Sequence, residues 1–270
     1  MKAPKQVILR TLVGSRAHGL STPESDYDYR GVFIVPTDEL LSVNPDYDQT
    51  SWIEGKEDNT AHELKDFLNL AIHSNPSVLE TLVSPVVEEN AWGSELRELF
   101  PKLWSSEGVY NAFSGYSFNQ RKKFLENKDD RPWKYAVAYI RVFLLGIELL
   151  RYGTMTVDVD KQQDILSDLP GFDSASKQFR TEIGWRESTN QEFLRALKNN
   201  GVGSYECAPA VGNRPAEVAL LNYSKGTIID ICDDLQCELE RAYLANPNKK
   251  SDVGAINDYL RRVRYGNRSF

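Results

Sequence analysis

Asp26 and Asp28 stand two residues apart at the head of the apolar run Val32–Val35, in the stretch "SDYDYRGVFIVP". A short apolar run bounded by a turn signal, here Pro36, predicts a buried strand. Side chains alternate across a strand, so residues two apart share a face. Both carboxylates would point the same way, where they repel unless a cation or a shared proton stands between them. The pair wants a metal. Upstream, Gly14 and Ser15 close the run "QVILRTLV", and a loop of about a dozen residues leads from that turn to Asp26. Gly14 lets the backbone approach a phosphate with no Cβ in the way, and Ser15 adds a hydroxyl donor.

Composition narrows the class. At 270 residues and 30.7 kDa the chain can bury a full core, as one large domain or two smaller ones. Its 41% hydrophobic and 11% aromatic content is that of a globular protein. Cys207, Cys232 and Cys237 are too few and too irregularly spaced for a disulfide framework or a zinc site, which favours a reducing, cytoplasmic setting. The opening "MKAPKQVILRTLVGS" holds no signal-peptide stretch before the first strand-like run. The longest apolar stretch, Ala136–Leu150, is broken by Arg141 and too short to span a bilayer. The expectation is a soluble protein with no membrane partner.

The net charge of −7 and pI of about 5.2 argue against indiscriminate binding to a nucleic-acid backbone. They leave room for a nucleic-acid substrate, because bound divalent cations and local basic clusters offset the global sign. Arg261, Arg262, Arg264 and Arg268 form one such cluster. It reads as a solvated basic helix end or as an RNA-contacting patch.

Periodicity changes along the chain. The run "QVILRTLVGS" reads as a strand or a short helix ending at Gly14, "YRGVFIVP" as a strand stopped by Pro36, and a polar, irregular stretch follows over 37–58. Leu64, Phe67, Leu68, Ala71 and Ile72 then follow the spacing of an amphipathic helix. Asn75 and Pro76 predict the cap and first residue of the next. Helical patterns dominate from about residue 95. The fold class is α/β (α+β), a small mixed-sheet unit followed by a helical one, with a boundary near residue 100.

A Gly-Ser turn, a loop and Asp-x-Asp on a strand together resemble the DNA polymerase β nucleotidyltransferase superfamily. "SDYDYRGVFIVP", "HELKDFLNLAIHSNPSVLETL" and a later "GY" among basic residues are similar to its predicted RNA-repair-pathway branch, whose gene often accompanies an RNA ligase. The likeness covers the first hundred residues well and the helical half loosely. It implies a catalytic domain over 1–100 and a helical domain over 101–270 that closes the nucleotide cleft. It also implies an NTP such as ATP as substrate, Mg²⁺ or Mn²⁺, an RNA acceptor and a functional partnership with an RNA ligase. Asp26 and Asp28 would hold two ions that clamp the attacking and leaving oxygens at phosphorus. A sparse protein ligand set suits Mg²⁺, which takes one or two carboxylates plus substrate phosphates.

The superfamily pattern requires a third carboxylate on a neighbouring strand. Glu63, in "TAHELKDF", occupies that position, with Asp58 and Glu57 as alternatives. Thr60 and Glu63 equally read as a capping box ahead of the apolar helix. Arg16 and His18 lie in the phosphate loop, and Arg30 shares the face of the aspartates, able to pair with them or to reach a phosphate. In "WKYAVAYIRVFLLGIELLRYG", Lys134, Arg141 and Glu148 form a narrow stripe on an otherwise apolar helix. That stripe either shows water a thin edge or lines a cleft in which Lys134 and Arg141 meet the triphosphate. Tyr116, Gln120 and Lys123 read as a solvated basic face or as a nucleobase or acceptor surface. Three function classes follow: nucleotidyl transfer to an RNA end, AMP transfer to a protein or small-molecule hydroxyl, and a catalytically silent nucleotide-binding module.

Overall fold

The computed structural model describes residues 5–44, 46–47, 50–52, 59–166, 169, 194–195, 197–198, 202–206, 218–222 and 225–266. The chain runs β1 (Gln6–Val13), α1 (Gly14–Ala17), β2 (Asp28–Ile34), α2 (Thr37–Leu40), β3 (Thr50–Trp52) and β4 (Thr60–Glu63). Then come α3 (Leu64–Ile72), α4 (Pro76–Val83), β5 (Val86–Glu89), α5 (Ala91–Glu98), α6 (Phe100–Leu103) and α7 (Ser106–Leu125). The remainder holds α8 (Pro132–Tyr152), β6 (Val202–Glu206), β7 (Val218–Asn222), α9 (Lys225–Ala245) and α10 (Val253–Gly266). By contacts it divides into two compact units, Met1–Ala112 with Asn246–Phe270, and Phe113–Ala245.

The first unit is built on a mixed five-stranded sheet in the order β3-β4-β2-β1-β5. β1 and β2, the two apolar runs of the sequence, pair antiparallel with Val13 opposite Asp28, while β2 and β4 run parallel. Leu9, Val32 and Ile34 are fully buried, as are Leu64 and Phe67 from the apolar stripe of α3 and Leu79 from α4. α4 starts where the sequence says: the Asn75 side chain accepts from the Ser77 and Val78 amides, and Pro76 needs no donor there.

The sequence places a single break near residue 100, but α10 returns to the first unit and packs on α3 and α6. Its buried stripe is Ile256, Tyr259 and Val263. Tyr259 Oη donates to the Trp92 carbonyl at 2.8 Å, and Thr37 Oγ1 to that of Arg264 at 2.8 Å. The basic cluster is largely taken up by acids: Arg261 pairs with Asp258, Arg262 with Glu95 and Arg264 with Glu63. Arg268 lies outside the described residues.

In the second unit, α8 packs along α9, and Gly153 ends α8 with φ 71°. Gly146 permits the close approach within this unit, since a Cβ there would lie 2.8 Å from Phe113 and 3.0 Å from Leu239. Among the described residues no helix is long and apolar enough to cross a membrane. Cys232 (buried) and Cys237 (exposed) are free, and Cys207 lies outside the described residues.

Candidate active site

The turn after β1 and the first residue of β2 meet. Gly14 has φ +70°, and a Cβ on it would stand 2.4 Å from Asp28 Oδ2. Only glycine satisfies both the left-handed backbone and the contact. The His18 amide donates to the Gly14 carbonyl at 3.1 Å and the Leu20 amide to that of Ser15 at 2.9 Å, winding α1 tightly after the turn. β2 begins at Asp28, so Asp28 shares a face with Arg30, Val32 and Ile34 by strand alternation. Asp26 lies just ahead of the strand and is exposed.

Arg16 holds the segment that presents Asp26. Its Nε and Nη2 both donate to the Ser25 carbonyl, at 3.0 and 2.7 Å, and Nη2 also reaches the Pro23 carbonyl at 3.4 Å. Its guanidinium lies 3.9 Å from the ring centre of Tyr27. These contacts make Arg16 a brace for the loop.

The structure does not bring Glu63 to Asp28. In the parallel β2–β4 pair, Thr60 lies opposite Arg30, His62 opposite Val32 and Glu63 opposite Phe33. Asp28 and Phe33 are an odd number of residues apart on one strand, so they face opposite ways. Glu63 therefore shares the Phe33 side, while Thr60 and His62 share the Asp28 side. Glu63 is 0% exposed; its Oε2 accepts from the Lys65 amide at 2.8 Å and its Oε1 from Arg264 Nη2 at 2.5 Å. It caps α3 itself, where the sequence pattern had it as the reciprocal partner of Thr60, which lies in β4. Asp58 and Glu57 lie outside the described residues. Among the described residues no group of three or more His, Cys, Asp or Glu side chains could hold a metal ion.

On the Asp28 side, Arg30 pairs with Glu80 of α4 at 3.5 Å and donates to the Ser77 carbonyl at 3.1 Å. Glu80 also meets His18 Nε2 at 2.5 Å. This carboxylate ties the loop after the glycine turn to the face of Asp28, and sequence reasoning passed over it. The only available signal was its place one turn beyond Ser77 in "NPSVLETL", which says nothing of residues 18 and 30. Burial, and secondly the charge of Arg30, hold the His62 imidazole below its ordinary pKa, so it is neutral at pH 7.

Lys134, Arg141 and Glu148 belong to the second unit. Lys134 is exposed, but Arg141 is 7% and Glu148 1% exposed, so the stripe meets water at Lys134 and is buried along the rest. Glu148 accepts from Thr154 Oγ1 and from the amide and hydroxyl of Thr156, closing the C-terminal end of α8. Gln120 is buried, and Lys123 lies over the Tyr135 ring at 5.5 Å. Arg141→Ala is expected to lower the melting midpoint, because truncating a buried charge strands the groups that face it. NTP titration on the same sample checks the other role: a ten- to hundredfold loss of affinity in the folded fraction would assign Arg141 to the triphosphate.

The model of a family described as RNA repair pathway DNA polymerase beta family (RlaP) matches residues 1–170. The chain is 28% identical over 145 residues to the uncharacterized protein YcgL of Bacillus subtilis (strain 168), covering 53% of this chain and 55% of that protein. It is 33% identical over 133 residues to an uncharacterized 38.9 kDa protein from the nrdC–mobD intergenic region of Enterobacteria phage T4, covering 44% and 39%. The chain thus matches about half or less of the length of these curated relatives. A nucleotidyltransferase-like protein from Exiguobacterium sibiricum 255-15 aligns over 96% of this chain and 74% of its own, with a TM-score of 0.27 and 10% identity.

Proposed function

Because the chain belongs to the RNA repair pathway DNA polymerase beta family, we propose that it transfers a nucleoside monophosphate from an NTP to a hydroxyl of an RNA end. The observation that carries this reading is the packing of Gly14 on the Asp28 carboxylate. A glycine turn packed on a carboxylate supports phosphate binding in the turn and a counter-ion on Asp28.

An exposed Asp26 and a half-buried Asp28 form the sparse carboxylate set that suits Mg²⁺ or Mn²⁺, which keeps several positions for water and substrate oxygens. Asp26 and Asp28 would hold the metal, which when bound neutralises charge developing on the attacking and leaving oxygens. Gly14 and Ser15 would seat the triphosphate, with the Ser15 hydroxyl as a donor. Arg16 keeps Asp26 in place through the Ser25 carbonyl, and Glu80 keeps Arg30 and the loop after α1 together. A cytoplasmic setting and partnership with an RNA ligase belong to the same proposal. Purified protein incubated with each α-labelled NTP, Mg²⁺ or Mn²⁺ and bulk tRNA is expected to pass label to RNA. Label on the protein itself, or on a small molecule, would select AMP transfer to another hydroxyl. Label nowhere would leave a nucleotide-binding module.

A further inference from the structure

Two donors on the Asp28 face are left over from the packing of the sheet. Arg30 follows Asp28 by two residues on β2, so the two share that face about 6.5 Å apart along the strand. One nitrogen of the Arg30 guanidinium, Nη1, donates to the Ser77 carbonyl at 3.1 Å and meets Glu80 Oε2 at 3.5 Å. Nε and Nη2 make no hydrogen bond among the described residues, and the side chain is 30% exposed. Thr60 stands opposite Arg30 in the parallel β2–β4 register, one strand over and on the same face. It is half-buried, and its hydroxyl likewise makes no hydrogen bond among the described residues. On the other flank, Thr11 is fully buried and its hydroxyl donates to the Arg30 carbonyl at 3.5 Å.

We propose that the open edge of Arg30 and the Thr60 hydroxyl form a phosphate-binding site beside Asp28. Nε and Nη2 are the parallel donors with which a guanidinium grips two oxygens of one phosphate. Glu80 leaves that charge in force, because its other oxygen is engaged by His18 and its contact with Arg30 is long. The charge is felt at His62 on the same face, whose imidazole is held below its ordinary pKa by burial and then by Arg30. The fork is anchored before any ligand arrives. Ser77 sits in the first turn of α4, where its amide donates to the Asn75 cap at 3.0 Å, so its carbonyl fixes Nη1 in place. A side chain already held loses less freedom on binding. Asp28 by itself would repel an anion here, and the divalent ion proposed on it reverses the local sign.

The site rests on the nucleotidyl-transfer reading for the source of its phosphate, which is either the tail of the NTP or the backbone of the acceptor RNA. Calorimetric titrations in Mg²⁺ with inorganic tripolyphosphate, with ATP and with a single-stranded oligoribonucleotide compare wild type, Arg30→Lys, Arg30→Ala and Thr60→Val. Arg30→Lys keeps a charge for Glu80 and loses the fork. Its melting midpoint should stay near that of wild type while phosphate affinity falls roughly tenfold. Arg30→Ala should lose roughly ten- to hundredfold in the folded fraction, and Thr60→Val roughly three- to tenfold. Loss for tripolyphosphate and ATP assigns the site to the NTP tail, and loss confined to the oligoribonucleotide assigns it to the acceptor. Wild-type affinity for all three ligands in Arg30→Lys and Thr60→Val overturns the site, as does a wild type that binds none of them. Label transfer by wild type is read separately. Affinity lost in Arg30→Lys with no transfer by wild type keeps the site and removes the transfer reading. Transfer by wild type with unaltered affinity in the variants does the reverse.

Discussion

Asp28→Asn is expected to reduce label transfer by on the order of a thousandfold, with Asp26→Asn close behind. The carboxylate is proposed to hold the ion that stabilises charge at the reacting phosphorus, a contribution of several kcal/mol at ~1.36 kcal/mol per tenfold in rate. Asparagine keeps the shape that packs on Gly14, so the turn is preserved. Removing one of two neighbouring like charges relieves repulsion in the metal-free protein, and the melting midpoint should hold or rise slightly. Chelation of the divalent metal should silence wild type to the same degree. Label incorporation and thermal melting on the same preparations check both halves. Substantial turnover by both variants would sink the two-metal reading.

Arg264→Ala carries the largest expected effect on stability. Glu63 is fully buried, and the Arg264 guanidinium, itself 13% exposed, is its ionic partner. Truncating the arginine strands a carboxylate in the core, which costs about 3–5 kcal/mol. At ~2–4 °C per kcal/mol for a chain of this size, the melting midpoint should fall by roughly 6–20 °C. Glu63→Gln should cost less, because the amide oxygen still accepts from the Lys65 amide and Arg264 can turn toward water. Since Glu63 faces away from Asp28, transfer per folded molecule should be unchanged in Glu63→Gln. Lost turnover at an unaltered midpoint would return Glu63 to the chemistry.

The residues around Gly14 show what short-range geometry makes legible. The turn, β2, the stripe of α3, the Asn75 cap and the Gly153 stop all follow from spacings of one to four residues, while the run of β1 was equally open to a short helix. Such spacings are set by backbone periodicity within one element. The meeting of Gly14 with Asp28 lies beyond such spacings and depends on the antiparallel pairing of β1 with β2. The capping box at Thr60 and Glu63 was half legible: the spacing marks a helix start, but not which of the two residues leaves the strand.

What covers each face was decided elsewhere. The side of the sheet to which Glu63 points depends on the parallel register of β4 against β2, a pairing between segments not joined by a hairpin. Its partner Arg264 lies 201 residues away in sequence. Glu80 meets His18 across 62 residues, and the seven-residue stripe of α8 holds two charged groups that the fold encloses. Periodicity determines which side chains share a face of one element. Only tertiary packing determines what lies against that face, because that choice is made by the burial and charge pairing of elements distant in the chain.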